Sequence, residues 1–272
     1  LRMSRGLGDV YKRQMPYKML VASDIDDTLL PEGQTRLNPA LFDEIRRLKD
    51  CGILFCAASG RPLDTLREMF APVADEIAYL AENGAHIYYG TAHLETITMP
   101  HALCAELCAY LAARSDCVAR ACTTLERCYM VPTQAARDNL EAVGVEFSGT
   151  KIVHDFSEVH GEVTQITAVS GGDIRIPAAE ILPLWQNRIG AAITGEHWLD
   201  FTAAGKDVGM QRLCAHFGIP MAQTIAFGDN FNDAPMLRTA GKGYLMAHAA
   251  PELRAEFPLQ TDSVLKVLKG IG

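Results

Sequence analysis

The stretch that most constrains this chain is Met19-Leu20-Val21-Ala22-Ser23-Asp24-Ile25-Asp26-Asp27-Thr28-Leu29-Leu30. An apolar run long enough for a buried strand stops at three carboxylates within four positions, then turns apolar again. Continuous apolar runs mark parallel strands buried on both faces, and open α/β sheets bind ligands at the carboxyl ends of such strands. Asp24 and Asp26 are therefore expected at a strand tip, free to face one site. Packing gives no reason to crowd like charges there, whereas a bound cation or a charged reaction centre does.

The same punctuation recurs along the chain. A helix is expected from about Pro39, with Leu41, Ile45 and Leu48 on one face and Gly52 as its stop. Ile53–Ala58 reads as a second buried strand ending in Ser59-Gly60-Arg61-Pro62, where Pro62 suits the first turn of a helix carrying Leu63, Leu66 and Met69. Ile77–Ala81 is a third strand, closed by Glu82-Asn83-Gly84. This alternation is that of an α/β fold with a doubly wound parallel sheet. From Ala85 the pattern changes to hairpin strands around Gly90 and a helix from about His101 to Arg114. Mixed short elements follow, including a helix over Gln134–Ala142, and then a helix through Leu182, Leu184 and Trp185. The core pattern returns with a helix near Lys206, a strand over Thr224–Phe227, and Gly228-Asp229-Asn230-Phe231-Asn232-Asp233. The expected organisation is a core of residues 15–83 and 199–272 with an α+β cap, 84–198, inserted after the third strand. The two connections, near Asn83–Ala85 and His197–Ala204, would act as a double hinge letting the insert open and close over the strand tips.

Composition narrows the function. The net charge of −8 over 272 residues argues against a nucleic-acid binder, which carries a basic stripe. Anionic substrates stay compatible with it, because a bound Mg²⁺ reverses the sign of a small site. No apolar segment approaches the roughly 20 residues that span a bilayer, so no membrane partner is expected. Leu1–Gln14 is basic, contains Gly and lacks a signal-peptide apolar region; it reads as a non-native extension with Met15 as the start. The eight cysteines form no C-x-x-C pair. They read as reduced thiols of a cytoplasmic protein, used as small apolar residues.

Asp24–Thr28, Ser59–Arg61, Lys206 and Gly228–Asp233 all fall at or near expected strand ends. Singly each has a plain reading: Gly60 and Gly228 as turn residues, Ser59 as a helix cap, Lys206 as a solvated charge, Asp229 and Asp233 as turn and cap. Together they define a site, and the chemistry that suits them is phosphoryl transfer through a covalent aspartyl intermediate. One carboxylate attacks phosphorus while a second, two residues on, protonates the leaving oxygen and then activates water. Carboxylates repel a phosphate dianion, so a hard divalent cation and a lysine are needed; Asp24, Asp26 and Asp229 suit Mg²⁺. Small residues after the second strand leave backbone N–H groups open to phosphate.

Asp24-Ile25-Asp26-Asp27-Thr28-Leu29-Leu30 resembles the first motif of the haloacid dehalogenase-like superfamily. Ser59-Gly60-Arg61, Lys206 and Gly228–Asp233 resemble its second, third and fourth. The order, with an insert between the second and third motifs, is similar to the Cof-type phosphatases with a large α/β cap on a Rossmann-like core. Asn83-Gly84-Ala85 resembles the entry to that cap. The likeness spans residues 17–272. It implies a Mg²⁺-dependent phosphatase with Asp24 as nucleophile and Asp26 as general acid/base. Mg²⁺ would sit on the Asp24 carboxylate, the Asp26 backbone carbonyl and Asp229. Ser59 and the Gly60 amide would bind phosphoryl oxygens, and Lys206 would neutralise phosphate and nucleophile. Asn232 would reach the phosphate, and Asp233 would orient metal waters or Lys206. Arg61 either serves the site or braces the loops.

Two residues depart from the family pattern: Asp27 stands where Gly is usual, and His248 where Asn is frequent. The expected substrate is a small phosphorylated metabolite, most simply a sugar phosphate. One alternative is a phosphosugar mutase, which would need clustered cap arginines among Arg114, Arg120, Arg127, Arg137, Arg175 and Arg188. The other is a non-catalytic phosphometabolite sensor, for which a catalytic residue should be missing. Neither the substrate nor the oligomeric state is written in the sequence.

Overall fold

The computed structural model describes residues 17–124, 128–131 and 150–271. β1 (Met19–Ser23) is buried from Leu20 onward. α1 (Pro39–Asp50) starts where the Asn38 side chain accepts from Ala40 N at 3.0 Å, has Pro39 in its first turn, and buries Leu41, Ile45 and Leu48 before stopping at Gly52. β2 (Ile53–Ala58) is buried throughout, α2 spans Leu63–Met69, and β3 spans Ala78–Ala81. β4 (His86–Tyr89) and β5 (Ala92–Thr96) follow, then α3 (His101–Ala112), β6 (Val118–Thr123), β7 (Cys128–Val131) and β8 (Thr150–Ile152). Next come β9 (Val163–Val169), α4 (Arg175–Trp185), β10 (Gly190–Gly195) and β11 (Trp198–Thr202). α5 (Lys206–Phe217), β12 (Thr224–Gly228), α6 (Ala234–Thr239), β13 (Lys242–Met246), α7 (Pro251–Glu256), β14 (Gln260–Thr261) and α8 (Val264–Leu268) complete the chain.

The chain forms two compact units: one runs to Glu95 and resumes at Gly205, and the other is Thr96–Ala204. The first holds an eight-stranded sheet in the order β14-β13-β12-β1-β2-β3-β4-β5, parallel from β14 to β3. Strand order reverses around β1, which has β2 on one side and β12 on the other. Ser23 is level with Phe227 across that junction, so the chain leaves both strands at the same height. A crevice opens at such a switch point, outside the carboxyl ends of the strands.

From the sequence the division is expected at 83/84 and 198/199, but it falls at 95/96 and 204/205. β4 pairs antiparallel with β3, with Leu80 opposite Ile87, and β5 lies beside β4, so the hairpin extends the core sheet. At the return, β11 pairs with β9 and β10 and so stays with the insert. Backbone pairing decides both boundaries, because an unpaired strand edge is unfavourable.

The second unit is α+β. Its six-stranded sheet has the order β10-β11-β9-β6-β7-β8, with β7/β8 the parallel pair. Leu107 and Leu111 of α3 and Ile181 and Trp185 of α4 share its core with Ile166, Leu199 and Phe201. The expected helix at 134–142, Arg127, Arg137 and residues 1–14 lie outside the described residues. Among the described residues no helix is long and apolar enough to cross a membrane. One cysteine expectation is corrected: Cys122 and Cys128 form a disulfide, because the β6/β7 register sets them opposite each other.

Candidate active site

The site lies wholly within the first unit. Asp24, Asp26 and Asp27 leave the end of β1, Ser59 and Gly60 the end of β2, and Asp229, Asn230 and Asn232 the end of β12; Lys206 opens α5. These residues and Asn83 line one cavity of about 280 Å³. Continuous hydrogen bonding between the strands fixes the crevice: Asp24 N donates to Phe227 O at 2.9 Å and Ser59 N to Leu80 O at 3.0 Å.

Lys206 is the pivot. Only 3% exposed, it donates to Asp24 Oδ1 and, at 2.6 Å, to Asp233 Oδ1. Asp233 is fully buried, and its Oδ2 accepts the Asp229 and Asn230 N–H groups at 3.1 Å each, so Asp233 ties the lysine to the β12 loop. Gly228 is required for this arrangement, because a Cβ there would collide with the Asp233 side chain. Burial works to lower the Lys206 pKa, but the Asp233 and Asp24 carboxylates overcome it and hold the ammonium above the ordinary lysine value. One lysine facing two carboxylates leaves an excess negative charge. Burial pushes the Asp24 carboxyl up to about 7 against the pull of Lys206, with Asp233 adding to the rise. Asp229 is also raised, mainly by burial, despite the Thr28 hydroxyl donating to its Oδ1 at 2.9 Å.

Carboxylate oxygens of Asp24, Asp229 and Asp233 lie within 4.8 Å of one another. Both Asp233 oxygens are occupied by the lysine and the loop amides, whereas Oδ2 of Asp229 takes no hydrogen bond among the described residues. Hard oxygen donors bearing uncompensated, partly desolvated negative charge suit a divalent cation, so the donor set fits one.

The Asp26 carboxylate points elsewhere. Arg61 grips it bidentately, Nε on Oδ2 at 3.1 Å and Nη2 on Oδ1 at 2.6 Å, so any Asp26 contribution to a cation falls to its backbone carbonyl. The Arg61 N–H in turn donates to Ser59 Oγ at 3.3 Å. Asn83, Asn230 and Thr28 join the site without a role assigned to them from the sequence. Asn83 has φ +55 and packs its amide on Gly60, an Asn-Gly turn signal read above only as a connection. Thr28 meets Asp229 across 201 positions, which no local pattern reveals. His248 lines a separate cavity of about 710 Å³, in which Asp27 forms a shared wall.

Asp27 has φ +58, the left-handed region where glycine sits without strain. Its charge also raises Asp229. Asp27→Gly is therefore expected to raise stability by about 0.5–1 kcal/mol, the strain and repulsion outweighing the added chain entropy. Urea titration checks this, and a loss of stability contradicts it.

A model of the haloacid dehalogenase-like hydrolases matches residues 21–270 of the chain. Over 246 residues the chain is 30% identical to a Cronobacter sakazakii protein named HMP-PP phosphatase, covering 88% of each. It is 26% identical over 252 residues to the Escherichia coli 5-amino-6-(5-phospho-D-ribitylamino)uracil phosphatase YbjI, covering 85% of each. A crystal structure from Eubacterium rectale superposes with a TM-score of 0.74 at 25% identity, over 93% of this chain and 98% of that one.

Proposed function

The chain belongs to the haloacid dehalogenase-like hydrolases, and from that premise we infer a phosphatase that hydrolyses small phosphomonoesters, sugar phosphates first among them, through an aspartyl-phosphate intermediate. The observation that carries this reading is a buried lysine shared by Asp24 and Asp233 at the floor of a cavity at the β1/β12 switch point. Both curated relatives described above are named phosphatases.

In the proposed reaction an Asp24 carboxylate oxygen attacks phosphorus and the ester oxygen leaves, taking a proton from Asp26. Asp26 then accepts a proton from water as that water attacks the phosphoryl group, releasing phosphate and restoring Asp24. Lys206, the Ser59 hydroxyl and the Gly60 N–H stabilise the phosphoryl oxygens, and Asn232 reaches the same side. Asp233 holds Lys206 and the β12 loop in place. Asp24, Asp229 and the Asp26 carbonyl would hold Mg²⁺, which when bound supplies the positive charge that offsets carboxylate–phosphate repulsion.

Both Asp26 oxygens sit on Arg61, so proton transfer requires at least one of those hydrogen bonds to open. The pair is solvent-accessible, with side chains 38% and 53% exposed, so opening it costs about 1 kcal/mol or less. Arg61→Gln is expected to leave stability nearly unchanged while lowering kcat on a sugar phosphate about tenfold, as positioning of the acid is lost. The loss should be smaller on p-nitrophenyl phosphate, whose leaving group needs no proton. Equal losses on both substrates would remove Arg61 from the acid step.

Against a mutase stands the commitment of the described second-unit arginines. Arg114 is paired with Asp116 and Glu180, Arg175 with Asp173 and Arg188 with Glu106. Arg120 lies over the Trp198 ring. None is left as part of a ready cluster for a second phosphate.

The reading is tested by phosphate release over a panel of sugar phosphates, nucleotides, pyridoxal phosphate and flavin mononucleotide, with and without EDTA. Turnover with Mg²⁺ that falls to background in EDTA supports it. Full activity in EDTA contradicts the cation, and no release from any ester contradicts the phosphatase.

A further inference from the structure

The β6/β7 register sets Cys122 directly opposite Cys128, with Cα atoms 4.3 Å apart. That is the close spacing, about 4.5 Å, of opposed residues outside the ladder hydrogen bonds, where neighbouring side chains come nearest. Both residues are half-buried rather than sealed in the core. The other thiols are placed differently. Cys56, Cys104, Cys108, Cys117 and Cys214 are buried, and burial pushes Cys104 and Cys214 up to about 11 and Cys108 and Cys117 up to about 12. Cys51 belongs to the other unit.

The sheet context gives this pair a consequence. β7 has four residues, and among the described residues only the three-residue β8 lies beyond it in the sheet. On its other side, β6 shifts register against β9 between Cys122 and Thr123, beside the pair. Short ladders at a sheet edge are where local opening is easiest, and a cross-link there acts on that opening.

We propose that Cys122 and Cys128 form a reversible thiol–disulfide clasp across the antiparallel β6/β7 pair of the second sheet, closed by low-molecular-weight disulfides and opened by dithiols. In closing, one thiolate attacks a sulfur of the small disulfide and expels a thiolate. The second cysteine attacks the mixed disulfide at the protein sulfur and expels the other half. Two electrons pass to the small disulfide, and the two cysteine protons end on the two released thiols. With the clasp closed, β7 is held by a covalent bond as well as its ladder. With it open, the four register pairs to β6, Ala119–Val131 through Cys122–Cys128, remain.

The full chain, equilibrated in oxidised glutathione or in dithiothreitol, is alkylated after denaturation and peptide-mapped, with amide exchange followed in parallel. Cys122 and Cys128 should lose alkylation together, as one cross-linked pair of peptides, in the oxidised sample and regain it after reduction, whereas the half-buried Cys51 can carry no more than a glutathione adduct. Amides of β6 and β7 should exchange at least about tenfold more slowly in the oxidised protein. Full alkylation of all cysteines in oxidised glutathione, or linkage to another cysteine, overturns the pairing, and equal exchange in the two states overturns the clasp. In Cys122→Ser and Cys128→Ser the remaining cysteine can go no further than a glutathione adduct, so each should exchange without the slowing seen in the oxidised parent; a slowing of β6 and β7 exchange that persists in either variant also overturns it.

Discussion

Asp24→Asn is expected to stop phosphate release while leaving the protein at least as stable as the parent. The amide keeps the shape of the carboxyl and an oxygen that accepts from Lys206, but it has no anionic oxygen to attack phosphorus. Removing a nucleophile of this kind lowers kcat by about 10³-fold or more. Stability should move the other way. Burial already works against the Asp24 charge, pushing its pKa up to about 7 from the ordinary carboxylate value of 3.8. The unfolded carboxyl thus ionises first as pH rises, and this group weakens the fold progressively between those two values. The neutral Asn lacks that penalty, so the variant should gain most on the parent near neutral pH and little near pH 4. Phosphate release together with urea melts at both pH values tests the pair of effects. Appreciable residual turnover excludes Asp24 as nucleophile.

The largest loss of stability is expected from Lys206→Met. The lysine is buried between Asp24 and Asp233, and its removal leaves two carboxylates facing each other without a counter-charge. Breaking a buried charge pair by removing one partner costs about 3–5 kcal/mol. For a protein of this size that lowers Tm by roughly 6–20 °C. The loss should be greater at pH 8 than at pH 5, since acid neutralises the stranded carboxylates. Adding Asp24→Asn to Lys206→Met should restore part of the stability and none of the activity. A Lys206→Met variant that melts with the parent would mean that the three charges are not coupled.

Legibility followed the range of the interactions. β1, β2 and β12 were readable because a strand buried on both faces must be apolar throughout, so its polar end stands out in the sequence. α1 was readable from its Pro, its periodic leucine and isoleucine positions and its glycine stop, whereas the Asn38 cap emerged with the structure. The β4/β5 hairpin was readable as strands but not as part of the core sheet, because only pairing with β3 assigns it. The Cys122–Cys128 bond stayed hidden because it depends on which residues the β6/β7 register places opposite one another.

The sequence by itself determined that acidic and hydroxyl clusters would end the strands of a parallel sheet and that Lys206 would open a helix after the insert, since each cluster is local and each strand announces its own burial. Only the tertiary structure decided how those groups are shared. It put Lys206 on both Asp24 and Asp233, Arg61 on Asp26, and Thr28 on Asp229. The physical reason is that strand order around β1 brings together side chains separated by as many as 201 positions, and a buried charge takes its properties from those neighbours rather than from its neighbours in sequence.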